Sequence, residues 1–308
     1  MLPRSRSRSL AAAALGLLLS VSVALPASAA PASVVAQPQP VSRDLLALGR
    51  VMAVLDSRAG SVPDVVTSWY VDPASNSVVV SATDVAAARA FAAGQDAVRI
   101  EQVNARPVLH ANLRGGDKIT TSGGGRCTVG FNAVSARARY IITAGHCTKL
   151  GSTWSGADGS LIGSVARSSF PDHDFALIEV TSPSWMQTAD VETEDGYLTV
   201  TGNEPVTVGS AICRSGSTSG YHCGQVQAVN ETVNYGDGDV VRGLTRTDIC
   251  AEEGDSGGPF VSGTQAQGTL SGGSGGCLIG GQSYFQPIDV VLATYGLTLV
   301  TGAASGDD

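Results

Sequence analysis

A serine set among glycines, in Gly254-Asp255-Ser256-Gly257-Gly258-Pro259-Phe260, is the part of this chain best suited to covalent chemistry. Acyl transfer needs an alcohol oxygen at a carbonyl carbon and two backbone N–H groups aimed at the oxyanion that forms. Glycines let the backbone crowd that closely around one point. Ser256 is the candidate nucleophile, with the amides of Gly254 and Ser256 as candidate donors. Alone, the same residues would also suit an ordinary glycine-rich turn, so the reading depends on partners elsewhere.

A serine hydroxyl is inert near neutral pH unless a base takes its proton. The chain offers four histidines, His110, His146, His173 and His222. His146 stands out, because it follows the apolar run Ile141-Ile142-Thr143-Ala144-Gly145 and precedes Cys147, a strand end with an anchor beside the imidazole. The third partner must accept the Nδ1 proton and stabilise the imidazolium. Asp174 opens Phe175-Ala176-Leu177-Ile178-Glu179-Val180, which reads as a buried strand, so its carboxylate is expected at the inner end of apolar structure. Asp172 competes by proximity, but after Pro171 it reads as a solvated turn acid.

The order His146, Asp174, Ser256 resembles that of the chymotrypsin-fold serine proteases, and the surrounding words narrow the likeness to the streptogrisin and alpha-lytic protease branch. They include Gly115-Gly116-Asp117, Gly125-Arg126-Cys127-Thr128-Val129-Gly130-Phe131-Asn132, Asn230-Glu231-Thr232-Val233-Asn234-Tyr235-Gly236 and Ser271-Gly272-Gly273-Ser274-Gly275. The likeness runs over 113–300. It implies an all-β protease unit of two six-stranded antiparallel barrels, the boundary near 205 and the triad in the cleft between them. His146 and Asp174 would come from the first barrel and Ser256 from the second.

The resemblance also pairs Cys127 with Cys147, Cys213 with Cys223 and Cys250 with Cys277. The count of six cysteines alone leaves the pairing open. It places a first substrate pocket between Leu270-Ser271-Gly272-Gly273 and Cys250-Ala251-Glu252. Two glycines leave room for a large side chain. Glutamate-specific relatives carry a histidine where Leu270 stands, so this pocket is expected to take Phe, Tyr, Leu or Met. Glu252 is the competing feature, a carboxylate able to admit a basic residue. Finally, Arg214 matches the internal arginine that, in bacterial members, pairs with the acid before the nucleophile, here Asp255.

Residues 1–29 combine Arg4, Arg6 and Arg8, an apolar run over 10–25 and the small residues Ala27-Ser28-Ala29, a secretory signal with cleavage expected after Ala29. The run falls short of the roughly 20 apolar residues that a spanning helix needs. Export makes disulfides natural, whereas the absence of a CxxC pair speaks against zinc.

The region from 41 to 109 has no cysteine and little glycine. Its patterns predict helices over 44–55 and 84–93, the second capped by Thr83 or Asp84 and stopped at Gly94. Strands are expected over 65–71, 77–81 and 97–103. Ser68-Trp69-Tyr70-Val71-Asp72 resembles the pro-region of the alpha-lytic type. That likeness makes 30–112 a small α/β pro-domain that helps 113–308 fold and blocks its cleft until self-cleavage near Asn112-Leu113. Pro287 and Gly296 bracket a short helix near the carboxyl end, and 302–308 lies beyond the resemblance.

From Leu113 onward there are ten Lys and Arg against twenty Asp and Glu. This balance suits an acidic exoenzyme and carries no basic stripe for nucleic acid. Asp237-Gly238-Asp239 lacks the run of ligands that a calcium loop needs and reads as a turn. The expectation is therefore a secreted bacterial serine endopeptidase, made as a zymogen and acting through an acyl-enzyme. It would be a monomer that meets protein or peptide substrates and its own pro-region, with no cofactor, no metal, no nucleic acid and no membrane contact once mature. A catalytically silent binder would have no need of all three triad residues, and a lipase would require its Gly-x-Ser-x-Gly elbow in a strand-to-helix setting, which Gly254-Asp255-Ser256-Gly257-Gly258 lacks.

Overall fold

The computed structural model describes residues 43–303. The expected signal over 1–29, the start of the expected pro-region and the tail from 304 lie outside the described residues. The chain forms two units, 1–106 and 107–308.

In the first unit α1 (Leu45–Ser57) starts at Asp44, whose carboxylate accepts from Ala47 N at 2.6 Å. Strands β1 (Val66–Asp72) and β2 (Ser77–Ala82) form an antiparallel hairpin. Helix α2 (Val85–Phe91) follows. Asp84 rather than Thr83 caps it, accepting from Ala86 N and Ala87 N, which satisfies donors that the first turn leaves open. Strand β3 (Val98–Gln102) returns parallel to β2. Leu48, Leu55, Val78, Val80 and Phe91 close the small core, so each predicted element forms within about two residues of its expected bounds.

The first half of the second unit contains β4 (Ala111–Gly115), β5 (Lys118–Thr120), β6 (Arg126–Thr128), β7 (Phe131–Val134), β8 (Arg139–Thr143), β9 (Thr153–Gly156), β10 (Leu161–Ser169), β11 (Phe175–Val180), β12 (Trp185–Thr193) and β13 (Gly196–Thr199). Their hydrogen bonding resolves into a long sheet, β7-β8-β11-β10-β9-β5-β6, and a ribbon, β13-β12-β4, in which β12 and β4 run parallel. The second half is a closed six-stranded barrel of β14 (Ala211–Gly216), β15 (Gly220–Asn234), β16 (Val240–Thr247), β17 (Pro259–Ser262), β18 (Gln265–Gly276) and β19 (Gly280–Pro287).

Helix α3 (Ile288–Tyr295) begins at Pro287 and stops at Gly296, which takes the left-handed conformation. Strand β20 (Thr298–Leu299) then crosses back to pair with β7. One apolar cluster joins Phe131, Ile142, Phe175 and Leu177 of the first half to Val261 and Ala266 of the barrel and to Ile288 and Val291 of α3. Each such side chain contributes about 1.5–3 kcal/mol when fully buried. The cluster therefore fixes the two halves against each other, which the cleft between them requires.

Candidate active site

Strand β8 delivers Thr143 to the end of an apolar run, and a 3-10 turn over His146–Leu150 lifts His146 out of it. Asp174 sits one residue before β11, paired with β8 in the sheet. The two meet twice: Asp174 Oδ1 accepts from His146 N at 2.9 Å, and Oδ2 lies 2.9 Å from His146 Nδ1. A carboxylate can only accept, so Nδ1 carries the hydrogen and Nε2 is left as the base. The Asp174 side chain is fully buried whereas that of His146 is 28% exposed, an anchored acid beneath an imidazole open to the cleft.

Two further residues hold the acid, and neither was assigned to this task from sequence. Ser271 Oγ donates to Asp174 Oδ2 at 2.5 Å, and Gln286 Oε1 accepts from Asp174 N at 3.0 Å. Tyr235 Oη in turn donates to Ser271 Oγ at 3.0 Å. Burial pushes the Tyr235 phenol well above its ordinary pKa, so it stays a donor. Asp172 is placed differently. Its side chain is 61% exposed and paired with Arg242 and His173.

Ser256 lies in the loop before β17, and its carbonyl accepts from Thr128 N at 2.8 Å. Cys147 Sγ is 3.9 Å from the same oxygen, so the nucleophile loop abuts the disulfide that follows His146. Among the described residues the Ser256 hydroxyl makes no hydrogen bond to His146. Contacts of this kind are often long in sites without a substrate.

The amides of Gly254 and Ser256 have no acceptor among the described residues, while those of Asp255, Gly257 and Gly258 are bonded to Glu252 O, Leu270 O and Asp255 O. The cause lies in the other end of each peptide. Glu253 O is held by Arg126 Nη2 at 3.1 Å and Thr218 Oγ1 at 2.9 Å, and Asp255 O by Gly258 N. In a trans peptide the N–H points opposite the C=O, so both unbonded N–H groups face the other way. Gly254 adopts φ +98°, a conformation that costs a side-chain-bearing residue dearly.

Arg214 and Asp255 are both fully buried, with Nη2 3.3 Å from Oδ2. The bidentate pairing expected for a guanidinium does not form. Arg214 Nε donates instead to Cys250 O, and Nη2 to Ser219 Oγ at 2.6 Å.

Disulfides link Cys127–Cys147, Cys213–Cys223 and Cys250–Cys277. The one group of potential metal ligands among the described residues, His222 with Cys250 and Cys277, has both sulfurs consumed by the last bridge. Asp239 is paired with Lys149 Nζ at 3.0 Å.

The cleft beside His146 encloses about 440 Å³ and is lined by Phe170, Asp174, Tyr235, Ser271, Gly272 and Gly273 among others. Leu270 does not reach it. Its side chain is 2% exposed and packs with Phe260 and Phe285, with Ala251 against the same cluster. The strand alternation that sends Ser271 to Asp174 turns Leu270 inward, so it backs the pocket region from the core rather than lining the cleft. Glu252 is exposed, and its Oε1 accepts from Cys277 N at 2.8 Å.

Residues 115–294 match the trypsin family model. The chain belongs to the trypsin family. Residues 45–97 match the alpha-lytic protease prodomain. Streptogrisin-C of Streptomyces griseus is 44% identical over 257 residues, covering 81% of this chain and 54% of its own length, so the chain spans about half of that relative. Serine protease 2 of Streptomyces fradiae is 46% identical over 172 residues, 55% of this chain and 99% of that protein. Among solved structures, Nocardiopsis protease is 45% identical with a TM-score of 0.57, covering 62% of this chain and all of that one. The trypsin-family match encloses His146, Asp174 and Ser256.

Proposed function

We propose that this chain is a secreted serine endopeptidase, working as a monomer on protein or peptide chains without a cofactor. The observation that carries the reading is the buried, doubly bonded Asp174–His146 pair set in a cleft, together with a loop in which the amides of Gly254 and Ser256 have no acceptor among the described residues. In this reading His146 Nε2 takes the Ser256 proton as Oγ attacks the scissile carbonyl. The oxyanion then accepts from Gly254 N and Ser256 N. His146 returns its proton to the leaving amine, and water, activated by the same base, releases the acyl group.

Secretion is inferred from the signal pattern over 1–29. A preference for large apolar residues before the cut is supported by the apolar cluster behind Ala251 and by the engagement of Glu252 with Cys277 N; the room expected above the two glycines is taken by the Tyr235 ring at Gly272 and by Gln282 O at Gly273. The prodomain match supports a zymogen in which 30–112 assists the folding of 113–308 and is then cut off near Asn112-Leu113. Leu113 is buried within β4, so a cut there requires that β4 has not yet paired with β12.

The test is hydrolysis of a fluorogenic peptide together with labelling by an irreversible serine-directed inhibitor. Turnover by the wild type, stoichiometric labelling at Ser256 and a loss of about 10⁶ in kcat for Ser256→Ala are expected. A wild type that binds peptides without turning them over would instead support a silent binding protein.

A further inference from the structure

The turn joining β14 to β15 touches the Glu253 carbonyl, in the peptide that ends in Gly254 N, and the side chain of Asp255, which precedes Ser256 N, and it does so partly through side chains that the chemistry above does not use. Ser219 Oγ donates to Asp255 Oδ2 at 2.5 Å and accepts from Arg214 Nη2 at 2.6 Å. It therefore completes, as a bridge, the ion pair that Arg214 and Asp255 make only at 3.3 Å directly. Asp255 Oδ1 accepts from Thr218 N at 2.9 Å and Ser219 N at 3.1 Å, and Oδ2 also accepts from Glu252 N at 2.9 Å. One residue earlier, Thr218 Oγ1 holds the Glu253 carbonyl at 2.9 Å.

The turn is itself restrained. His222 Nε2 lies 2.9 Å from Ser219 O; a carbonyl only accepts, so this nitrogen carries the hydrogen. Gly216 lies where a Cβ would collide with both Arg214 Nη1 and the Asp255 carboxylate, so the strand enters the turn with backbone packed directly on the ion pair.

We propose that Thr218 and Ser219 are positioning residues for the oxyanion donors. Ser219 acts through Asp255, whose backbone carries the peptide that ends in Ser256 N–H. Thr218 acts through Glu253 O, the opposite end of the peptide that ends in Gly254 N–H. Removing either hydroxyl takes one restraint from a peptide plane, with Arg126 Nη2 still on Glu253 O and Gly258 N still on Asp255 O, and touches neither Ser256, His146 nor the cleft. The loss therefore falls on the step in which negative charge develops, not on ground-state binding.

This inference rests on the endopeptidase reading, and its test compares variants with an active wild type. Full-length Ser219→Ala and Thr218→Val are assayed on one apolar tetrapeptide substrate, with Ser219→Thr and Thr218→Ser as variants that keep the hydroxyl. Two inhibitors accompany them: a peptide aldehyde, whose hemiacetal oxygen occupies the oxyanion position, and the product acid of the same sequence. A hydrogen bond to a charged group is worth enough for kcat to fall by about 10- to 100-fold in Ser219→Ala. The neutral bond lost in Thr218→Val is expected to cost about 3- to 10-fold. In both, KM and product affinity stay within about twofold, aldehyde affinity falls with kcat, and the hydroxyl-bearing variants recover.

Thr218 is exposed, so its variants report even where Ser219→Ala does not accumulate. Unchanged kcat in both hydroxyl-free variants overturns the proposal. So does a loss shared equally by KM, product and aldehyde affinity, since that would mark general damage to the cleft. An inactive wild type would defeat the endopeptidase reading instead.

Discussion

Ser271 and His146 share one oxygen: Asp174 Oδ2 accepts from the serine hydroxyl at 2.5 Å and faces His146 Nδ1 at 2.9 Å. The serine comes from the barrel and the histidine from the first half. The carboxylate that holds the imidazole is thus itself held across the cleft.

Asp174→Asn is expected to lower kcat by about 10⁴, because an amide in this place selects the wrong imidazole tautomer. Asp172→Asn should stay within a few-fold, since an exposed ion pair with Arg242 is worth little. Steady-state kinetics on one peptide would check both, and a larger loss from the Asp172 change would reverse the assignment.

Arg214→Ala should destabilise the chain by about 3–5 kcal/mol, because it strands a buried carboxylate. Burial pushes the Asp255 pKa up, but the Ser219 hydroxyl, the Glu252 amide and the Arg214 charge outweigh it, leaving the group below its ordinary value. A depressed acid stabilises the fold above its unfolded pKa of 3.8, and that stability is lost as pH falls through the still lower folded value. Urea midpoints of the wild type should therefore drop on the acid side of pH 4, and those of Asp255→Asn should drop less.

Asp117 behaves in the opposite sense. Burial lifts it from 3.8 to about 6, outweighing the Arg114 N–H that it accepts at 2.7 Å. A raised acid favours the protonated fold, so stability declines as pH rises from about 4 to about 6, by at most about 3 kcal/mol. Asp255 is already ionised across that window. Asp117→Asn should flatten the slope, measured by urea midpoints between pH 4 and pH 7.

Much of this candidate site could be read from sequence, because the candidate nucleophile, base and acid each stand in a run of distinctive residues. The donors around them could not. Ser271 and Gln286 reach Asp174 from strands about a hundred residues away, and no local pattern ties a serine at a strand position to a distant carboxylate. Ser219 escaped for the same reason, and its insertion between Arg214 and Asp255 replaced the direct fork that guanidinium chemistry alone suggests. Leu270 illustrates the limit of reading a pocket wall as a string. Neighbours along a strand point to opposite faces, so the Leu270 side chain joins Phe260 and Phe285 while that of Ser271 turns to Asp174. In the first half the apolar runs that become β8 and β11 were legible, but the split between a long sheet and the β13-β12-β4 ribbon depends on pairings set by tertiary packing.

A tetrapeptide series varied at the residue before the cut should show kcat/KM for Phe, Tyr, Leu or Met above that for Arg or Glu by at least about tenfold. That is the discrimination expected when a charge must enter an apolar recess. Faster cleavage after Arg or Glu would reassign the pocket, with Glu252→Gln distinguishing the two causes.

Residues 113–308 refolded alone should regain activity slowly or not at all, and rapidly when 30–112 is added in trans. Recovery is followed with the fluorogenic peptide. Equal, fast recovery with and without the added segment would remove the folding-assistant role.

The return of β20 to β7 bears on that expectation. Leu299 sits opposite Ala133, more than half the chain away, so the first sheet keeps an open edge until residues beyond the entire barrel have arrived. A topology whose last rung depends on so remote a segment has a high contact order, and its search is slow. During that search the bare edge of β7 is a template for pairing with other chains. The crossing that locks the finished molecule is thus also the step at which an unassisted chain is most exposed to aggregation.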